Sequence, residues 1–105
     1  MAGGTKRHQT IRRLLRATIP RAPMADAEII FEHALAGHLR HLPPSTALWL
    51  ATTSRVRHAH TDYDALLADG YDPDAARFFV VADMEDVLAD WGCSKKIDME
   101  GEEPA

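Results

Sequence analysis

Apolar residues recur in this chain at helical spacing, and no stretch alternates apolar and polar with the period of two that a half-buried strand needs. Around Thr10 to Ile19, the residues Ile11, Leu14, Leu15 and Ile19 make one stripe, with Arg12, Arg13 and Arg16 mostly opposite. Pro20 ends that helix. A second runs from about Met24 to Ala36 with Ala27, Ile30, Phe31, Ala34 and Leu35 inward, and Gly37 stands where a left-handed cap would sit. After "HLPP", a third begins at Pro44 or Ser45 and reads "STALWLATTSRVRHAH". Its expected core stripe is Ala47, Leu50, Ala51, Ser54 and His58, widened by Trp49 and Val56.

Thr61, as an N-cap with Asp64 at the third helical position, starts a short fourth helix that turns Tyr63, Leu66 and Leu67 inward and stops at Gly70. Asp72 before Pro73 is a second start signal, a side-chain acceptor followed by a residue with no amide to satisfy. The fifth helix runs to about Trp91 before Gly92. Its stripe is Val80, Val81, Met84, Leu88 and Trp91, headed by Arg77, and its opposite face carries Phe79, Asp83, Asp86 and Asp90. The expectation is an all-α fold, a compact bundle of about five helices with no sheet, packed around helices three and five.

A chain of 105 residues has room for one core and not for two. It is expected to be a single domain, ordered from about residue 8 to residue 92, with mobile tails at 1–5 and 94–105. A hydrophobic share of 46% argues against wholesale disorder. No apolar run reaches the roughly 18 residues of a membrane span, and no secretory signal precedes the first helix. A lone cysteine, Cys93, cannot close an internal disulfide, so a reducing cytoplasm is the expected location.

"RHAHTDYD", residues 57–64, is the one segment with the look of chemistry. Its His58-x-His60-x-Asp62 spacing is similar to the zinc-binding run of metallo-β-lactamase-like hydrolases. In those enzymes the run lies in a loop after a strand and ends in a histidine; here a helix precedes it and Tyr63 takes the last place. No Cys/His spacing matches a ligand set elsewhere, so neither a metal nor any other cofactor is expected. Capping explains Thr61, Asp62 and Asp64, and His60 is read as solvated. His58, Asp64 and Arg77 remain. They are read as a structural polar cluster at the meeting of helices three, four and five, where removing Asp64 or Arg77 should cost about 3 kcal/mol or more.

The motif "RHxxTxYDxLL" is carried by Arg57, His58, Thr61, Tyr63, Asp64, Leu66 and Leu67. With Gly70, the pair Ala76-Arg77, and Val80, Leu88 and Trp91 on an apolar helix, it resembles the family catalogued as domain of unknown function 2293, known from bacterial and fungal proteins. The similarity spans about residues 40–92 and extends to short bacterial members with "LPP" before the third helix. It implies that His58, Asp64 and Arg77 matter to the domain, and implies no activity, substrate or cofactor.

Charge is distributed unevenly. Residues 1–60 hold nine of the twelve lysines and arginines and all six histidines, while residues 61–105 hold thirteen of the sixteen acids. Such asymmetry points to a polar partner. Lys6, Arg7, Arg12, Arg13, Arg16 and Arg21 put six positive charges on the first helix and its flanks, a candidate surface for nucleic acid or a protein partner. Phe79, on the acidic side of helix five, should be exposed unless another helix or subunit covers it. The residues therefore favour a binding or regulatory module, self-associating or protein-binding, with nucleic acid as a further partner class and no membrane. The alternative is a small hydrolase or metal-binding protein using His58, Asp64 and Tyr63, and whether the chain is an enzyme stays open, leaning against.

Overall fold

The computed structural model describes residues 5–97. These form five α-helices and no strand: α1 (Lys6–Thr18), α2 (Met24–Ala34), α3 (Pro44–His60), α4 (Tyr63–Ala68) and α5 (Pro73–Asp90), with a 3-10 turn at Gly37–Leu39 between α2 and α3. About 73% of the described residues are helical, counting the 3-10 turn. Helix α3 is the centre, packing against each of the other four, while α5 lies on α3 and α4. Among the described residues no helix is long and apolar enough to cross a membrane.

The stripe expected on α1 is found: Ile11, Leu15 and Ile19 are buried, and Leu14 packs against them from the edge. Thr5 starts the helix by accepting a hydrogen bond from the His8 amide at 3.0 Å. On α5 the buried stripe is Ala76, Val80, Met84, Leu88 and Trp91. Ala76, four residues before Val80, heads it, so Arg77 falls on the flank and reaches solvent. Asp72 caps α5 through the Ala75 amide at 2.9 Å.

Two expectations are corrected. Helix α3 buries Ala47, Leu48, Ala51, Thr52, Thr53 and Val56, while Leu50 and Ser54 are half-buried and His58 is exposed. The buried face is rotated because Thr52 and Thr53 satisfy their hydroxyls within the helix, on the carbonyls of Leu48 at 2.8 Å and Trp49 at 3.1 Å. A threonine bonded in this way enters a core without an unmet donor. Gly37 is the other case: it is not in the left-handed region, and positive φ occurs at Gly70 and Gly92. After α2 the chain makes the 3-10 turn, which brings Leu39 into the core.

Of the segments read as tails, residues 1–4 and 98–105 lie outside the described residues. In the remainder, Lys95 stands 4.4 Å over the Trp49 ring and the Ile97 amide donates to Glu85 at 3.0 Å.

Candidate functional site

The "RHAHTDYD" segment is divided by the end of α3. His58 Nδ1 lies 2.7 Å from Asp64 Oδ1, and the imidazole meets the Tyr63 ring edge-on at 5.3 Å. A carboxylate only accepts, so Nδ1 donates in that contact, the orientation a carboxylate gives to a general-base imidazole. Both side chains are open to water, 50% exposed for His58 and 61% for Asp64. Tyr63 is buried, with the Arg57 guanidinium 5.6 Å from its ring centre. Thr61 is committed to local structure: its hydroxyl donates to the Arg57 carbonyl and accepts from the Tyr63 amide at 3.1 Å. It stands as the extended residue between α3 and α4, and Asp62 occupies the formal N-cap position of α4 without a side-chain cap bond.

The expected cluster of His58, Asp64 and Arg77 is present only as its His58–Asp64 edge. Arg77 pairs with Asp74, one turn back on α5, at 3.7 Å, and its side chain is 44% exposed. No ion pair joins it to Asp64 among the described residues, because the flank position of Arg77 aims it away from the junction with α4.

His60 turns the opposite way, toward a carboxylate that the sequence pattern did not single out. Asp26 on α2 is buried, and its Oδ1 takes Arg55 Nε at 2.6 Å and His60 Nε2 at 3.0 Å. The His60 ring also meets Trp91 edge-on at 5.5 Å, so this polar knot joins α2, α3 and the end of α5. Burial works to raise the Asp26 pKa; hydrogen bonds and charge from His60 and Arg55 outweigh it and hold the carboxyl below its usual range. His60, read as solvated, is exposed as a residue, and what that reading lacked is its carboxylate partner. Its available signal was register, since Asp26 lies four and eight residues before the buried Ile30 and Ala34.

Among the described residues, no three His, Cys, Asp or Glu side chains converge into a set able to hold a metal. His58 and His60 diverge onto separate carboxylates, and Asp62 joins neither.

The six basic residues of the first helix and its flanks divide by role. Arg7 donates to the Leu39 carbonyl at 3.2 Å, which fastens the 3-10 turn. Arg21 donates to the carbonyls of Asp90 and Ala89 at the end of α5, where a cation also offsets the helix dipole by about 0.3–1 kcal/mol. Arg12 covers the Phe31 ring at 4.1 Å and, with Gln9, Arg13 and Arg16, lines a shallow furrow open to solvent. Lys6 is exposed. None of Lys6, Arg12, Arg13 and Arg16 takes part in an ion pair among the described residues.

Phe79 is 56% exposed, as its angle on α5 implies, and it has company. Phe78 is 69% exposed and Tyr71 46%, and the Phe79 ring meets both edge-on, at 6.0 Å and 5.5 Å. The sequence pattern hides these two neighbours because Tyr71 lies in a loop and Phe78 lies one step off the acidic face.

The chain matches one family model, over residues 14–92, so the shared region takes in α2 and part of α1 as well as the quoted motif. No curated protein and no solved structure matches it. A match across well over half of the chain, on the helices just described, assigns it: the chain belongs to the family described as uncharacterized conserved protein (DUF2293).

Proposed function

We propose that the chain is a binding module that works by self-association, with the aromatic patch of α5 at the centre of the contact. The observation that carries this is the cluster of Tyr71, Phe78 and Phe79, three large side chains held against one another and open to water. Scattered exposed aromatics are ordinary; a contiguous group is the pattern of an interface centre. A second copy suits it because each copy offers both signs of charge. Arg12, Arg13 and Arg16 are exposed on α1, while Asp83, Asp86 and Asp90 lie on α5, on the side of Phe79. In a two-fold dimer each contact between these faces is made twice. The reducing, cytoplasmic setting inferred from the single cysteine belongs to the same reading.

Sedimentation equilibrium tests it. The protein is expected to dimerise, and Phe78→Ser with Phe79→Ser to leave a monomer of unchanged helicity. Reversing Arg12, Arg13 and Arg16 to Glu should weaken the dimer, and mixing that chain with one in which Asp83, Asp86 and Asp90 are reversed to Lys should restore association. A wild-type chain that stays monomeric at about millimolar concentration refutes the reading.

The furrow on α1 supports a second reading, contact with nucleic-acid phosphates. With Arg7 and Arg21 committed inside the fold, three or four cations remain, so log affinity should fall against log salt with a slope of about −3. Duplex or single-stranded binding with that slope, lost on reversal of Arg12, Arg13 and Arg16, supports it. Salt-insensitive binding, or none at low ionic strength, excludes it.

A further inference from the structure

Helices α2, α3 and α5 and the 3-10 turn line an open groove of about 570 Å³, and Phe78 of the aromatic patch stands on its lining. Cationic and imidazole side chains reach it from all four elements: His33 from α2, His38 from the turn, Arg57 from α3 and Arg77 from α5. Its deeper lining is apolar, with Leu39, Leu50, Val81 and Met84. Among the described residues Asp74 is the one carboxylate on the lining, and its side chain is 95% exposed, so it belongs to the rim.

We propose that this groove binds a small amphipathic anion, a phosphate monoester of an apolar or aromatic group. Arg57, Arg77, His33 and His38 surround the phosphate, and Leu50 and Met84 receive the organic part.

Three features lead to that ligand. The volume lies within the range of about 300–1,000 Å³ typical of small-molecule sites, and apolar walls with a few convergent polar groups are their usual lining. The groove gathers basic groups from four elements, and the one carboxylate on its lining among the described residues is Asp74. The His33 pKa is lowered first by burial and then by repulsion from His38, on the groove, and from His58, outside it. The rings of His33 and His38 are 5.6 Å apart and tilted by 40°. An anion between such groups removes the repulsion, and a phosphate monoester offers three acceptor oxygens to donors arriving from several directions. The apolar depth is what a bare inorganic anion would leave unused.

Titration calorimetry on the full chain tests this with phenyl phosphate, inorganic phosphate and phenol as probes. Phenyl phosphate should saturate one site per chain and bind more than about tenfold tighter than inorganic phosphate, and phenol should give no saturable heat. The double variant Arg77→Gln with His38→Gln, both exposed positions, should lose more than about tenfold in phenyl phosphate affinity. Arg13→Gln, on the remote face of α1, should bind as the wild type does. Absence of saturable binding by phenyl phosphate overturns the site. Equal loss in Arg13→Gln overturns it in favour of diffuse charge, and inorganic phosphate binding as tightly as phenyl phosphate overturns the amphipathic assignment. These variants leave Tyr71, Phe78 and Phe79 untouched, so failure of the self-association reading is scored separately.

Discussion

His60 Nε2 lies 3.0 Å from Asp26 Oδ1, so the second histidine of "RHAHTDYD" ties the end of α3 to the start of α2. The same carboxylate oxygen accepts from Arg55, and one acidic side chain thus holds two basic ones from a neighbouring helix. Asp26 is held in its charged form, and Nε2 is the protonated nitrogen of His60, since a carboxylate only accepts.

Removing Asp26 should therefore destabilise the fold more than removing either partner. Asp26→Ala leaves Arg55 and His60 without their acceptor and should cost about 2–3 kcal/mol, below the figure for a fully buried pair because the two side chains are 27% and 34% exposed. His60→Ala should cost about 1 kcal/mol, the scale of one hydrogen bond to a charged group and an aromatic edge contact. Urea denaturation checks both; a neutral His60→Ala would mean the contact is not maintained in solution. The folded-state pKa of Asp26 is lowered, so its contribution is present above the unfolded value near 3.8 and is lost as pH falls through the folded one.

Asp64→Asn and Arg77→Ala should each cost less than about 1 kcal/mol, because both positions are solvated and each ion pair is screened. This replaces the cost of about 3 kcal/mol or more expected for a buried cluster. Thermal unfolding of the two single variants and the double decides it. A large, coupled loss in the double variant would return Arg77 to the His58–Asp64 pair.

The helix count and most boundaries are legible in the sequence because proline, glycine and capping residues act locally. Asp72 before Pro73 starts α5, and Gly70 and Gly92 take the positive φ expected after a helix. Which face of a helix is buried depends on chemistry that a polar/apolar pattern erases. Thr52 and Thr53 score as polar and are buried because the helix itself accepts their hydroxyl protons. Asp26 scores as a surface acid and is buried because its partners sit 29 and 34 residues away. Spacing to Val80 puts Arg77 on the core stripe, but three residues and four residues before Val80 are both helical neighbours, and the small Ala76 takes the inward place.

Alanine substitution at three glycines should give a graded series. Gly37 has ordinary backbone angles and open space where a methyl group would stand, so Gly37→Ala should be neutral or slightly stabilising. Gly70 has a φ of +102° and equally open surroundings, so only backbone strain of about 1 kcal/mol is added. Gly92 combines a φ of +91° with Pro20 Cγ only 2.9 Å from the position of the new carbon. Gly92→Ala should be the most damaging, about 2 kcal/mol or more, because relief requires shifting the Arg21–Trp91 backbone bond of 2.9 Å. Midpoints of chemical denaturation rank the three; any order other than Gly37, Gly70, Gly92 is inconsistent with the geometry.

His33 should make the fold sensitive to mild acid. Burial is the larger cause of its lowered pKa, and the charges of His38 and His58 add to it, with Arg57, Arg77 and the rim carboxylate Asp74 on the same groove. For a base with a depressed folded-state pKa, the unfolded chain takes up the proton first as pH falls. Stability is then complete above the unfolded value of 6.5 and declines as pH drops through the lower folded value. His33→Gln removes that proton-binding difference while keeping a polar side chain of similar reach. Its loss of stability between about pH 7 and pH 5 should be smaller than that of the wild type, with little difference at pH 7. Urea titrations at the two pH values measure the difference directly, and parallel losses in the two proteins would show that the acid sensitivity arises elsewhere.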